Sequence, residues 1–343
     1  MTMWRLIAAS AMAAAMAGCG TNAGQGSGSV ADTVLEPAFE TPKADLDANL
    51  RCLPFTHPDK PPVLLVHGTF TAGNEQYNWT YVPLLDDRGF DVCTVTYPDR
   101  GLGDQQISAE YVVNALRSIY AQTGRKVAMI GHSQGATMPR WALKYWPSAR
   151  DVVEDFVMQA GPNHGTTVAD PAGGGSPLPL PEAFWQFAPS SNFIKALNHG
   201  DETPGDISYT NLYTTFDELV EPSAPVPTAA LEFNAGNPKI TNLLLQDLCP
   251  GRFVDHVTIG LTDRLSFELA LDAISNPGPA NVERAGGAAT LCGLADFIPD
   301  QIVASEAAQN MVAVILAGGG GIGGLHLVNG EPPLKAYAQA DGQ

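Results

Sequence analysis

Val127-Ala128-Met129-Ile130-Gly131-His132-Ser133-Gln134-Gly135 joins a short apolar, β-like run to the pattern G-x-S-x-G. The residues that follow, through Tyr145, have helical character. Strand, tight turn and helix in that order are the setting of a nucleophile elbow, a strained turn that lifts one serine hydroxyl above a sheet edge. Both glycines are physical requirements, because a side chain at either position would crowd the neighbouring strand or helix. The helix beyond aims its first N–H groups at the place where negative charge would develop. Ser133 is therefore the candidate nucleophile.

Outward from this turn, strand and helix signals alternate. Val63-Leu64-Leu65-Val66 is β-like and ends in His67-Gly68-Thr69, residues 91–97 alternate as a strand, and residues 108–120 have helical spacing. Downstream, residues 156–160 and 207–213 read as strands, the second leading to a loop that holds Asp217. Residues 252–254 read as a short β-like run before His256. The alternation predicts an α/β fold, a mostly parallel central sheet with helices on both faces. Sites in such sheets form at the C-terminal strand ends, where the candidate residues fall.

Ser133, Asp217 and His256 stand in the chain order of α/β-hydrolase triads. A serine hydroxyl needs a base to take its proton, and histidine has a suitable pKa. A carboxylate then fixes the imidazole tautomer and stabilises the cation formed during attack. His326 also follows Asp217, but beside the glycine-rich residues 318–324, so order and strand-end position favour His256. Asp217 competes with Glu218, Glu221 and Asp201, and its place shortly after a strand favours it. Asp255 adjoins His256 and reads as structural, since adjacent side chains usually point apart. The N–H of Gln134 and the His67-Gly68-Thr69 loop are the candidate oxyanion donors.

The chain has 343 residues, which suits one large domain or two small ones, and 45% of them are hydrophobic, enough for a sizeable core. Asp and Glu number 36 against 18 Lys and Arg, a net charge of −18 that would repel nucleic acid. Arg5 precedes an apolar stretch, residues 6–16, too short to span a bilayer, and Met16-Ala17-Gly18-Cys19 resembles a lipobox. The expectation is a signal peptide at 1–18, a lipidated Cys19 that holds an exported protein at the membrane, a flexible tether at 20–33 and the catalytic domain at 34–343. Ordinary cleavage after Ala15-Met16-Ala17 is the alternative, giving a freely secreted protein. With Cys19 in the leader, Cys52, Cys93, Cys249 and Cys292 remain for two disulfides, with three pairings open. No Cys/His spacing suggests zinc and no calcium or phosphate loop is visible, so neither metal nor cofactor is expected.

These motifs resemble the lipase B family of α/β-hydrolases, of the Candida antarctica type. The resemblance runs from Pro37-Ala38-Phe39 to Tyr337-Ala338. It rests on Val63-Leu64-Leu65-Val66 with Gly68-Thr69, and on Ser133-Gln134-Gly135 with Trp141 and Pro147-Ser148. Thr210-Asn211-Leu212-Tyr213 with Asp217-Glu218, and Phe253-Val254-Asp255-His256, complete it. It implies a serine ester hydrolase, a lipase or carboxylesterase and most specifically a triacylglycerol lipase, that uses Ser133, His256 and Asp217. It also implies oxyanion donors at Thr69 and Gln134, and disulfides Cys52–Cys93 and Cys249–Cys292.

Several positions depart from the family pattern. His132 stands where the eukaryotic lipase has a tryptophan on its alcohol side, Asn163 replaces an acidic residue near the acyl side, and Phe70 replaces a small residue. Cysteines for a third, C-terminal disulfide are missing, and Pro139 falls inside the helix after the elbow. His132, Asn163 and Trp185 are the expected substrate contacts. Residues 170–187 are expected to border the entrance, with residues 302–317 opposite. The alternatives are an acyltransferase or polyester depolymerase, and a non-catalytic surface lipoprotein, against which the full set of reactive groups argues.

Overall fold

The computed structural model describes residues 36–170, 176–231, 236–294, 309 and 326–342. The leader, Cys19 and the tether lie outside the described residues, as does nearly all of 302–317. The described strands are β1 (Leu50–Cys52), β2 (Val63–Val66), β3 (Val92–Val95), β4 (Val127–His132), β5 (Val153–Gln159), β6 (Leu180–Pro181), β7 (Ser208–Tyr213), β8 (Ile240–Leu244) and β9 (Leu327–Val328). Among the described residues, seven of them form one sheet in the order β1-β3-β2-β4-β5-β7-β8, and β6 pairs with β9 separately. Only the β1–β3 pair of the large sheet is antiparallel.

β2, β3 and β4 are buried at every position, as continuous apolar runs in a sheet covered on both faces should be. Their side chains alternate between two cores. Leu64, Val66 and Met129 meet Val112, Leu116 and Trp141 of the helices Gln105–Thr123 and Gln134–Tyr145. Val63, Leu65, Ala128 and Ile130 share the opposite cluster with Leu265, Phe267 and Leu269 of the helix Arg264–Ser275. The expected fold class is the observed one.

The run at 252–254 is not a strand. The sheet ends instead on β8, and His256 opens the helix His256–Leu261. Asp255 caps that helix: its carboxylate accepts the N–H of Thr258 at 2.7 Å, and the Thr258 hydroxyl reaches back to it. A strong capping box outweighs the weak β propensity of three residues. Among the described residues, the pairing that remains there is a single bridge, Phe216 to Asp255.

Two disulfides are present, Cys52–Cys93 between β1 and β3, and Cys249–Cys292. They close loops of 41 and 43 residues, each contributing about 4 kcal/mol in the chain-entropy picture. Such bridges fit an oxidising compartment.

Asp155 on β5 is only 7% exposed. Burial, with Glu154 adding to it, pushes its carboxyl up to about 7. The unfolded chain ionises this group near pH 3.9. Unfolding therefore releases a proton between the two values, and stability from this group is lost as pH rises through that window, by up to about 4 kcal/mol. Asp155→Asn should raise the thermal midpoint relative to wild type more at pH 8 than at pH 5. Melting curves at both values check this; an equal difference at both would contradict it.

Candidate active site

The turn between β4 and the helix Gln134–Tyr145 holds Ser133 at φ 56° and ψ −125°, outside the usual regions for an L-residue. Its N–H donates to the carbonyl of Gln159 at 2.8 Å, which pins the turn to β5. A Cβ on Gly131 would come within 1.9 Å of the Gly135 carbonyl oxygen, and one on Gly135 within 2.1 Å of the Val66 oxygen. Both positions therefore exclude side chains by close approach to backbone.

The His256 Nε2 lies 2.9 Å from the Ser133 Oγ. The His256 Nδ1 lies 2.9 and 3.1 Å from the two carboxylate oxygens of Asp217. Nδ1–H thus donates to the carboxylate, and the Nε2 lone pair is left to accept the serine proton. Asp217 is fixed by two backbone donors, the N–H groups of Leu219 at 3.0 Å and Val220 at 2.7 Å. The N–H of His256 donates to Glu218 at 3.1 Å. Asp217 and His256 are both buried, while Ser133 is partly open to solvent.

Across the cleft, the Gly68 carbonyl accepts the Nδ1–H of His67 at 2.7 Å. A trans peptide turns the next N–H, that of Thr69, the opposite way. The Thr69 hydroxyl donates to the Gln134 side chain at 3.2 Å, and that side chain donates to the Gly101 carbonyl at 2.9 Å. Gln134 is the first residue of its helix, so its N–H has no carbonyl one turn earlier within the helix.

Ser133, His256 and Thr69 open onto a cavity of about 490 Å³. Its walls include Phe70, Leu180, Phe184, Phe187 and Val220. Phe70 and Phe184 meet edge-on at 5.9 Å. Val168, Leu219 and Val257, exposed apolar residues, also line it.

Two expected substrate contacts are not in the cavity lining. Trp185 is buried and its indole N–H donates to the Val328 carbonyl at 3.1 Å, so it braces the ribbon of β6 and β9. Phe184 and Phe187 of the same short helix, Glu182–Phe187, face the cavity instead. Asn163 is fully buried; its amide donates to the Ala229 carbonyl at 2.7 Å, and its oxygens receive Arg140 at 3.0 and 3.3 Å. Its neighbour Pro162 lines the cavity. His132 does line it, and so does Gln76, which no sequence pattern marks. Burial pushes both His132 and His67 down to about 3, so each is neutral near pH 7 and a poor base. His326 is exposed, 3.3 Å from Glu182.

Residues 60–230 match the family described as Lipase (class 2). The chain is 31% identical to lipase B of Pseudozyma antarctica over 313 residues, 89% of this chain and 87% of that one. The crystal structure of Aspergillus fumigatus lipase B superposes with a TM-score of 0.75 at 28% identity, covering 88% of this chain and 73% of that one. The fold, the full-length likeness and the serine-centred cleft lead to one assignment: the chain belongs to the lipase B family of α/β-hydrolases and is a serine ester hydrolase.

Proposed function

We propose that this ester hydrolase is a lipase for long-chain acyl esters, acylglycerols among them, with Ser133 as nucleophile. The apolar cavity beside Ser133 carries this reading, because most of its lining is aliphatic or aromatic side chains. Each methylene buried there contributes about 0.8 kcal/mol, so a few of them raise kcat/KM by one to two orders of magnitude.

Ser133 Oγ attacks the ester carbonyl as His256 Nε2 accepts its proton, across the 2.9 Å contact. Asp217 holds the ring and stabilises the imidazolium. The N–H groups of Thr69 and Gln134 receive the oxyanion, joined by the Thr69 hydroxyl once it swings from the Gln134 side chain. His256 returns the proton to the leaving alcohol. Water, activated by the same ring, then releases the acid from the acyl-enzyme.

A series of p-nitrophenyl esters from acetate to palmitate, with emulsified triolein, tests the substrate class. The expected profile rises from acetate to medium or long chains, and triolein is cleaved. Acetate as the best substrate, with triolein untouched, would reject it. Phe184→Asp puts a charge in the apolar wall and should lower kcat/KM on the decanoate about tenfold more than on the acetate. Equal losses would remove Phe184 from the acyl path.

Export and a lipid anchor at Cys19 belong to the same proposal, supported by the short apolar leader and the Met16-Ala17-Gly18-Cys19 sequence. Cys19→Ala should move the protein from the detergent phase to the aqueous phase. Unchanged partitioning would remove the anchor.

A further inference from the structure

Behind the cleft, one chain of hydrogen bonds runs from the oxyanion loop to the catalytic base. The Gly68 N–H donates to the Gln76 Oε1 at 2.9 Å, and the Thr71 hydroxyl donates to the same oxygen at 2.9 Å. The Gln76 Nε2 donates to His132 Nδ1 at 3.2 Å, between residues 56 apart in sequence. The His132 Nε2–H donates to the carbonyl of His256 at 2.7 Å. A carboxamide donor on one side and a carbonyl acceptor on the other admit a single neutral tautomer of His132. Gln76 and His132 are both buried. Gly260 leaves room for the ring: a Cβ there would lie 2.1 Å from the His132 Cδ2.

We propose that Gln76 and His132 are positioning residues that tie the Gly68-Thr69 loop to the backbone of His256 and set the distance between oxyanion donors and base. The proposal rests on the reading of Ser133, His256, Thr69 and Gln134 given above. His67 and Arg100 with Glu75 fix other atoms of the oxyanion loop. The Gln76 carboxamide is the group that links that loop to His132, and through it to His256. Both walls must be in register when the tetrahedral oxyanion forms, and a misplacement of about 1 Å can lower the rate 100-fold.

Gln76→Leu keeps the bulk and removes both donor and acceptor. It should lower kcat on p-nitrophenyl butyrate by about 10- to 100-fold with KM within about twofold, because leucine preserves the bulk of Gln76 in the lining and the apolar walls Phe70, Phe184 and Phe187 are unchanged. A simple packing defect would instead lower the fraction of active protein, which titration of active sites with a fluorophosphonate measures.

Gln76→Glu supplies the second arm. It keeps the acceptor for Gly68 and Thr71 but sets a carboxylate against His132 Nδ1, so the bridge closes only when a proton is shared between them. The titratable groups facing the bridge are His256 with Asp217 behind it, His67 through Thr71, and Tyr77, whose hydroxyl reaches the backbone of His132. These residues are the same in the variant and in wild type, so wild type measured at each pH is the reference. The kcat ratio of Gln76→Glu to wild type should rise at least about fivefold as pH falls from 9 to 6. A pH-independent ratio, or a wild-type kcat in Gln76→Leu, would overturn the proposal. Failure of wild-type Ser133 to react with the fluorophosphonate would instead reject the underlying catalytic reading.

Discussion

Ser133→Ala lowers kcat/KM on p-nitrophenyl butyrate by at least about 10⁴-fold, and His256→Ala does the same. Each removes one end of the 2.9 Å contact between Oγ and Nε2. Without the base, the hydroxyl keeps its proton; without the hydroxyl, the base has nothing to activate. The losses are therefore not additive, and the double variant is about as slow as either single one. His132 cannot substitute for His256, because burial makes it a poor base and its two nitrogens already bond Gln76 and the His256 carbonyl. Initial rates on purified, folded variants decide this. Residual activity above about 1% of wild type, or losses that multiply in the double variant, would contradict the account.

Gly135→Ala is the second large effect, and it acts on the fold. The new Cβ would sit 2.1 Å from the Val66 carbonyl oxygen and 2.9 Å from that of His67. Neither can give way. Val66 is paired with Val95 on one side and Gly131 on the other, and the elbow helix is buried along most of its length. Relief requires the helix to leave β2, with loss of packing around Met138 and Trp141. The expected destabilisation exceeds about 4 kcal/mol, or roughly 6 °C in the thermal midpoint. Gly330→Ala, where a Cβ meets nothing within 4 Å, is the control and should shift the midpoint by less than about 2 °C. Scanning calorimetry of the pair tests the claim, and similar midpoints would refute it.

The parts of the fold legible in the sequence are those whose burial is complete. β2 matches its apolar run residue for residue, and β4 leads into the elbow as expected, because strands covered on both faces carry an unbroken local signal. β8 escaped notice because its centre is polar. Asn242 there accepts the N–H of Leu231 at 2.9 Å and donates to the Leu231 carbonyl at 2.8 Å, a long-range partnership that no local pattern reveals. The run at 252–254 misled for the opposite reason: its apolar residues are followed by an Asp255 cap, and the cap decides the local structure.

The site divides in the same way. Ser133, Asp217 and His256 are legible because their chemistry imposes an order along the chain, and Ser133 and Asp217 also follow strands, whereas His256 opens a helix. Trp185 is expected at the cavity because it lies in the aromatic segment that borders the entrance, yet a buried indole needs an acceptor, and it finds one at Val328, away from the cavity. Phe184 and Phe187, three residues apart on one helix face, do line it. Asn163 is engaged by Arg140, whose charge is buried and must be met by oxygens. Gln76 has no sequence signature, since its partners Gly68 and His132 meet only after the sheet has formed.

The central claim is that Ser133 is an activated nucleophile. Reaction with a fluorophosphonate, followed by mass spectrometry of the peptides, tests it most directly. The account predicts a single adduct, on Ser133, formed rapidly by wild type and only very slowly by His256→Ala. An adduct on another serine, or none on the folded wild-type protein, would contradict it.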